Sequence, residues 1–245
     1  MTLLIVGATS AIAHQAARAF AAEGAALALA ARSPDKRAAV AADLAARGAA
    51  AVHELGYDAL DPARWAAVVD EATAALGQID MALVAHGAMP PAAELDRDPE
   101  AAARAFTVNA TSVVATMTAI AAQMERQGFG TLAVVSSVAG DRGRPSNAVY
   151  TSAKAAVSQF AGALRARLHG AGVRVVTVKP GPVDTPMLEG VDRPAALVAS
   201  PERVGRRVHR AMRRGEAVVY TPGYWRAIMA AVRAVPETVF KRLQT

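Results

Sequence analysis

The chain has 245 residues, of which 53% are hydrophobic and 20% are charged. This is enough apolar material for a hydrophobic core, so the composition excludes a disordered chain and a mini-protein held together by disulfides. It has no cysteine, which excludes thiolate metal sites and fits a reducing compartment, so we expect a cytoplasmic protein. The net charge of +6 lies wholly in residues 201–245, which carry +7, and the nearly neutral body argues against a nucleic-acid partner.

Short apolar runs alternate with longer helical patterns along the chain. The alternation predicts an α/β fold with a doubly wound parallel sheet of about seven strands and helices on both faces. The predicted strands are 3–6, 27–31, 51–54, 81–84, 131–135, 173–178 and 217–220, and the predicted helices are 11–23, 35–47, 62–76, 100–127, 148–169 and 201–214. We expect one domain over residues 1–223, with a substrate lid near 187–200, and an amphipathic tail over 224–245.

The segment after the first predicted strand has the composition of a phosphate-binding turn. It combines a glycine, two hydroxyl side chains and the free backbone N–H groups of a helix start, which together favour a dinucleotide pyrophosphate. Ala11 and Ala13 stand where the dinucleotide fingerprint has glycines, so an ordinary strand-to-helix turn is the alternative. The residues that we expect to contact phosphate here are Gly7, Thr9, Ser10 and Ile12.

The second predicted strand is followed by Arg32, without the carboxylate that usually binds the ribose 2′-hydroxyl of NAD. A guanidinium at this position can pair with a 2′-phosphate. The sequence therefore favours NADP(H) over NAD(H), with a solvated arginine at a helix start as the alternative.

Tyr150 and Lys154 lie four residues apart and so share one face of the predicted helix 148–169. A neighbouring ammonium favours the phenolate form of tyrosine and lowers the pKa of a group that ordinarily titrates near ~10. The pair is a candidate acid–base site, although the same spacing also occurs in solvated helical pairs.

Three further features support a site. Ser137 follows the fifth predicted strand, and Pro180-Gly181 follows the sixth. Asn109 lies in the middle of the predicted helix 100–127, where an amide is mildly unfavourable unless it has a function. Ligands of doubly wound sheets bind at the carboxyl ends of the strands, so these residues are expected to lie together.

In order and spacing, these residues resemble the short-chain dehydrogenase/reductase family, from end to end of the chain. Through this resemblance, the catalytic residues of the family correspond to Asn109, Ser137, Tyr150 and Lys154. It implies a Rossmann-like fold, an NAD(P)-dependent oxidoreductase, and a homodimer or homotetramer formed through helices 100–127 and 148–169. The full set of expected cofactor contacts is Gly7, Thr9, Ser10, Ile12, Arg32, Asp58, Ala59, Gly87, Tyr150, Lys154, Pro180, Gly181, Val183 and Thr185.

The resemblance also implies the roles of the site residues. Hydride passes to the carbon of a ketone while Tyr150 donates a proton to its oxygen, and Ser137 hydrogen-bonds that oxygen. Lys154 would lower the pKa of Tyr150 and hold the nicotinamide ribose. Asn109 would hold a water that relays protons to solvent, and Thr185 would bind the nicotinamide amide.

One family motif is poorly matched. Of the Asn-Asn-Ala-Gly sequence that the family places after its fourth strand, only Gly87 is kept, in Val84-Ala85-His86-Gly87. His86 is either a contact particular to this chain or a space-filling side chain, and we favour the second interpretation.

The tail shows an apolar stripe with basic neighbours. Its apolar positions are Trp225, Ile228, Met229 and Val232 and, after Pro236, Val239, Phe240 and Leu243. This pattern is typical of a helix in a membrane interface, or of a helix packed on the body or on a second subunit. The head Gly-Ala-Thr-Ser, the runs 136–140 and 144–150 and the ending 232–243 are similar to those of a branch of the family, the decaprenylphosphoryl-2-keto-ribose reductases. This similarity implies a polyprenyl-phosphate 2-keto-pentose substrate and peripheral contact with the inner face of the membrane.

Three hypotheses follow from the sequence. The first is an NADP(H)-dependent reductase of a small-molecule or lipid-linked ketone such as that keto-pentose. The second is a reductase of a long-chain 3-keto lipid or another hydrophobic ketone. The third is a catalytically silent dinucleotide-binding sensor or scaffold, against which the presence of all four catalytic residues argues.

Overall fold

The computed structural model describes residues 1–188 and 194–242, and its centre is one parallel sheet of seven strands in the order β3-β2-β1-β4-β5-β6-β7. The strands are β1 Thr2–Val6, β2 Ala26–Ala31, β3 Ala51–Gly56, β4 Met81–Val84, β5 Gly130–Val135, β6 Val173–Pro180 and β7 Val218–Thr221. Every pairing between neighbouring strands is parallel. The predicted α/β class and the number of strands are therefore confirmed.

Helices cover both faces of the sheet. They are α1 Ala11–Ala22, α2 Pro34–Ala46, α3 Pro62–Leu76, α4 Ala92–Leu95, α5 Pro99–Phe106, α6 Ser112–Gln127, α7 Ala148–Arg167, α8 Pro201–Arg214, α9 Trp225–Ala234 and α10 Glu237–Phe240. Helices α3, α6 and α7 bury their apolar side chains in one core, and α1, α2 and α8 bury theirs in a second core on the opposite face. This two-sided burial explains why the strands are continuous apolar runs.

The order of the strands reverses direction at β1, which pairs with β2 on one side and with β4 on the other. In sheets of this kind, ligands bind at the carboxyl edge beside this reversal. The segments that follow β1, β4, β5 and β6 contain Gly7, Gly87, Ser137 and Gly181. The topology thus places four candidate segments along one edge.

The predicted helix 100–127 is not a continuous α-helix, and this corrects the sequence-based expectation. A π-helical turn over Thr107–Thr111 separates α5 from α6, and Asn109 lies within it. The side-chain amide of Asn109 donates to the carbonyl of Ala105, 2.9 Å away, inside this widened turn. Such single π-turns are frequent at functional sites.

The stretch Pro99–Gln127 has the length and hydropathy of a membrane-crossing helix, yet half of its most apolar window is buried inside the protein. Its inner face packs against α3 and α7 in the core. This packing is that of the core helix of a globular fold, for which the same length and composition are common.

The tail is made of two short helices, α9 and α10, which Pro236 separates. Trp225 and Met229 pack against Val138, and Phe240 is also buried. Of the two interpretations of the apolar stripe, packing on the body is the one that this arrangement favours. Leu243, which the sequence pattern added to the stripe, lies outside the described residues.

Candidate active site

A cleft of about 670 Å³ runs along the carboxyl edge of the sheet. Fifteen of the sixteen residues expected from the sequence line it: Gly7, Thr9, Ser10, Ile12, Arg32, Asp58, Ala59, Gly87, Ser137, Tyr150, Lys154, Pro180, Gly181, Val183 and Thr185. Asn109, the sixteenth, lies directly behind Gly87. Of the expected lid, Met187, Leu188, Pro194 and Leu197 line the cleft, while 189–193 lie outside the described residues.

The turn after β1 fits a dinucleotide. Gly7 has φ +87°, and a Cβ there would lie 2.5 Å from the backbone nitrogen of His86, so only glycine is accommodated. Ser10 precedes the first residue of α1 without capping it through its side chain, which leaves the hydroxyl for a ligand. The N-terminus of α1 and its free N–H groups therefore open onto the cleft, as pyrophosphate binding requires.

Two cations line the end of the cleft at β2. Arg32 follows the strand directly, and Lys36 lies in the first turn of α2, which Ser33 caps by accepting from the Lys36 N–H. Neither side chain forms an ion pair with a described residue. Arg37, by contrast, is held by Glu54 and by the carbonyl of Ala31. Lys36 is not among the residues that the sequence predicts, because no spacing shows that the first turn of α2 brings it to the cleft beside Arg32.

Ser137, Tyr150 and Lys154 converge at the other end of the cleft. Tyr150 lies in the first turn of α7, hydrogen-bonded to Ser137, and the Lys154 Nζ lies 5.6 Å from the centre of its ring. The Nζ also donates to the carbonyl of Val135, 3.1 Å away. A Cβ on Gly140 would lie 2.6 Å from the backbone of Lys154, so the segment after Ser137 packs directly on α7.

Asn109 lies behind Gly87 and supports the site formed by Ser137, Tyr150 and Lys154. Its side-chain oxygen accepts from the N–H of Ala88 at 3.0 Å, and its nitrogen donates to the carbonyl of Ala88 at 2.7 Å. A Cβ on Gly87 would lie 2.8 Å from the Asn109 Oδ1 and 3.4 Å from the Lys154 Nζ. The side-chain amide of Asn109 therefore holds the segment after β4, which contains Gly87 and Ala88, against Lys154.

Burial shifts the pKa values of both helical residues. It raises the pKa of Tyr150 above its usual value, and the hydrogen bond with Ser137 opposes that rise only in part. Burial lowers the pKa of Lys154 to about 8. For Tyr150 this direction is opposite to the one expected from the spacing, because removing a phenolate from water outweighs its interaction with an ammonium 5.6 Å from the ring.

His86 has a structural environment. Its Nε2 lies 3.0 Å from the Ser112 Oγ, and its ring packs 5.1 Å from that of Tyr57. Burial, followed by the charge of Lys154, lowers the pKa of His86 to about 3, so the imidazole is neutral. These contacts favour the space-filling interpretation.

A half-buried cluster that the sequence does not predict holds the segment after Ser137 in place. Asp141, four residues after Ser137, forms an ion pair with Lys179 of β6 and accepts from the Tyr220 hydroxyl of β7 at 2.7 Å. Burial, followed by the bond to Asp141, raises the pKa of Tyr220 to about 12. No sequence spacing could show this cluster, because its members come from three separate segments.

We expect Asp141→Ala to destabilise the protein by about 3–5 kcal/mol, because it leaves the Lys179 ammonium buried without its carboxylate. Side-chain exposures of 3% for Asp141 and 12% for Lys179 place the pair in the interior. Urea unfolding measures the loss. The double variant Asp141→Ala/Lys179→Met should recover much of it, and an Asp141→Ala variant as stable as wild type would contradict the prediction.

Comparison with known proteins agrees with this geometry. The short chain dehydrogenase family matches residues 1–195. An uncharacterized oxidoreductase of Mycobacterium tuberculosis is 40% identical over 98% of this chain and 96% of its own length. One from Streptomyces coelicolor is 38% identical over 99% and 95%. The crystal structure of a short-chain type dehydrogenase/reductase from Mycobacterium marinum superposes with a TM-score of 0.82 at 27% identity, covering 89% of this chain and 92% of that one.

Fold, cleft and comparisons lead to one conclusion. The sheet with helices on both faces is that of these enzymes, and relatives across nearly the whole chain are oxidoreductases. The cleft offers the open helix terminus and the glycine turn that a dinucleotide requires. The chain belongs to the short-chain dehydrogenase/reductase family and is an NAD(P)-dependent oxidoreductase.

Proposed function

We propose that this protein is an NADP(H)-dependent reductase that converts a ketone into a secondary alcohol. The observation that carries the proposal is the placement of two groups in one cleft. Ser137, Tyr150 and Lys154 converge at one end, and the cations Arg32 and Lys36 line the other. A sensor or scaffold has no use for the first group, so its intact geometry argues against that alternative.

The residues of the cleft fit the cofactor. Gly7 and the N-terminus of α1 would hold the pyrophosphate, and Arg32 with Lys36 would pair with a 2′-phosphate. Asp58, which lines the cleft, would contact the adenine, while Pro180, Gly181 and Thr185 would contact the nicotinamide. When bound, the nicotinamide supplies the hydride.

The chain's own residues handle the proton and the charge on oxygen. Tyr150 donates its phenolic proton to the carbonyl oxygen of the ketone, and the raised pKa keeps this acid protonated near neutral pH. Ser137 hydrogen-bonds the same oxygen and stabilises its developing charge. Lys154 offsets the charge left on Tyr150 and would hold the ribose. Through its hydrogen bonds to Ala88, Asn109 keeps Gly87 in position beside Lys154.

Loss of the Lys154 charge should limit the rate at alkaline pH. Because burial lowers the pKa of Lys154 to about 8, the ammonium that offsets charge on Tyr150 disappears as pH rises through that value. We expect kcat/KM for ketone reduction to be level in the neutral range and to fall above about pH 8. Initial rates of NADPH oxidation across pH measure this profile.

The control for the pH profile is the affinity for NADPH, measured at the same pH values. If the affinity for NADPH fell in parallel with the rate, the decrease at alkaline pH would reflect loss of cofactor binding rather than loss of proton transfer. A profile that stays level well above pH 8 would contradict the role given to Lys154.

The substrate end of the cleft, the part around Ser137 and Tyr150, is mostly apolar. Its apolar lining residues are Met89, Val138, Met187, Leu188, Leu197 and Trp225, and Arg144 adds one cation. This lining supports the hydrophobic-ketone alternative, including a long-chain 3-keto lipid. A polyprenyl-phosphate 2-keto-pentose would place its phosphate near Arg144.

We also infer that the protein works as a cytoplasmic homo-oligomer. The half of the most apolar window of Pro99–Gln127 that is not buried supports pairing through α6 and α7, as in the family. With Trp225, Met229 and Phe240 buried, any contact with an anionic membrane would rest on the exposed Arg and Lys side chains of the tail. Light scattering tests the first point and liposome sedimentation the second.

A turnover assay tests the proposed function. Purified protein is given NADPH or NADH with a panel of ketones that contains an aryl ketone, a long-chain 3-keto ester and a prenyl-phosphate keto-pentose. We expect at least one ketone to be reduced, with NADPH preferred. If NADPH binds but no ketone on the panel is reduced, the sensor alternative is favoured.

A further inference from the structure

The C-terminal segment α9–α10, which we call the wall, contributes Trp225 to the lining of the active-site cleft. It lies wholly outside residues 1–195, the part of the chain that the family matches. Its first residue, Trp225, nevertheless lines the same cleft as Ser137 and Tyr150. The segment therefore adds to the common fold a surface that faces the reacting group.

The indole of Trp225 lies directly on Gly181. A Cβ built on Gly181 would lie 2.0 Å from the indole Nε1 and 2.4 Å from Cε2, so glycine is required for this contact. The indole also belongs to a buried apolar group with Val138 and Met229, which Leu197 contacts as well. Val138 is the residue after Ser137, so the indole packs against the segment that carries the residue proposed to bind the ketone oxygen.

Arg142 holds the far end of this wall. Its guanidinium donates to the carbonyl of Val235 at 2.8 Å and to that of Arg233 at 3.3 Å, where α9 ends. It also donates to the Glu237 carboxylate at 2.6 Å and lies 4.1 Å from the centre of the Phe240 ring. A cation at a helix C-terminus is favoured by the helix dipole and satisfies its last carbonyls.

Both ends of the wall are thus attached to the segment that follows Ser137. Val138 meets the indole at the cleft, and Arg142, four residues later, holds α9 and α10. Trp225 is only 7% exposed, so its indole is packed among these neighbours. A rigid aromatic wall beside the reacting carbon limits how large the substituent of the ketone can be.

We propose that Trp225 is a specificity-determining residue that favours ketones with a compact apolar substituent. Arg142 is the positioning residue that holds α9 and α10, and with them Trp225, in place. This inference rests on the proposed ketone reduction. The indole Nε1 is buried and has no hydrogen-bond partner among the described residues, so Trp225 acts through its shape and apolar surface. Phenylalanine can therefore replace much of its function.

The test compares acetophenone with 2-acetylnaphthalene as substrates at saturating NADPH. Trp225→Ala should raise the ratio of kcat/KM for the larger ketone to that for the smaller one by about tenfold or more, because it opens the wall. Trp225→Phe should keep a ratio close to that of wild type. The matched control is Phe129→Ala, which removes an aromatic side chain that is 40% exposed and outside the cleft lining.

Arg142→Ala should move the same ratio in the same direction by a smaller factor, with the affinity for NADPH unchanged. Its control is Arg226→Ala, an exposed arginine of α9. A purely structural role would lower the rates for both ketones alike and leave the ratio where it was. An unchanged ratio in Trp225→Ala would overturn the proposal.

A binding measurement separates this inference from the proposed function. The chain has two tryptophans, so Trp65→Phe leaves Trp225 as the only one. Acetophenone added to this variant with saturating NADP⁺ should quench the tryptophan emission saturably, whereas Trp225→Phe should show no saturable quenching. If the wild-type protein reduces no ketone, the proposed function fails. The quenching measurement then still shows whether Trp225 faces the ligand. Absence of saturable quenching would overturn the inference.

Discussion

Tyr150→Phe should lower kcat for ketone reduction by about 10²- to 10⁴-fold, the usual contribution of a positioned general acid. The phenyl ring keeps its place in the first turn of α7, and only the hydroxyl that bonds to Ser137 is lost. Because burial raises the pKa of Tyr150, the wild-type hydroxyl carries its proton throughout the neutral range. Single-turnover absorbance of NADPH measures the loss.

Cofactor binding should survive this change. The groups that would hold the phosphates, Gly7 and the N-terminus of α1, lie at the far end of the cleft from the phenol. We therefore expect the Kd for NADPH to change by no more than about twofold, so that the deficit falls on kcat. Tyr224→Phe, which removes the hydroxyl of an exposed tyrosine, is the control. A purified Tyr150→Phe variant with a substantial residual rate would contradict the assignment of the acid.

The sequence was a good guide to the sheet and to the residues along its edge. Strands buried on both faces must be continuously apolar, so their positions follow from composition, and a parallel sheet brings their carboxyl ends together. Gly7, Ser137 and Gly181 can be predicted in this way, since each lies within two residues of the end of a strand.

What the sequence could not predict depends on packing between distant segments. The π-turn at Asn109 accompanies hydrogen bonds between its amide and Ala88, which lies in another segment of the chain. The direction of the pKa shift of Tyr150 depends on burial, which no spacing contains. The apolar stripe of the tail was recognised, but its partner Val138 and the anchor Arg142 lie about ninety residues earlier in the chain.

The preference for NADP(H) rests on Arg32 and Lys36, and removing both should weaken NADPH selectively. Charge-assisted hydrogen bonds contribute about 1.5–3 kcal/mol each, less at an exposed site, so Arg32→Ala/Lys36→Ala should raise the KM for NADPH by about 10²-fold. The KM for NADH should stay near its wild-type value, because NADH has no 2′-phosphate. Initial rates with each cofactor at a saturating ketone concentration measure both constants.

The position of Arg32 and Lys36 in the cleft predicts that their removal changes the KM for NADPH and not kcat. Arg32 and Lys36 lie at the opposite end of the cleft from Tyr150, so kcat at saturating NADPH should remain near that of wild type. Arg206→Ala, which removes an exposed cation of α8 outside the cleft lining, controls for the general loss of positive charge. Raising the salt concentration should weaken NADPH binding in wild type more than in the double variant, since screening acts on the charges that the variant lacks. If the double variant kept the NADPH preference of wild type, Arg32 and Lys36 would be solvated residues of a helix start, and the discrimination would have to lie elsewhere in the cleft.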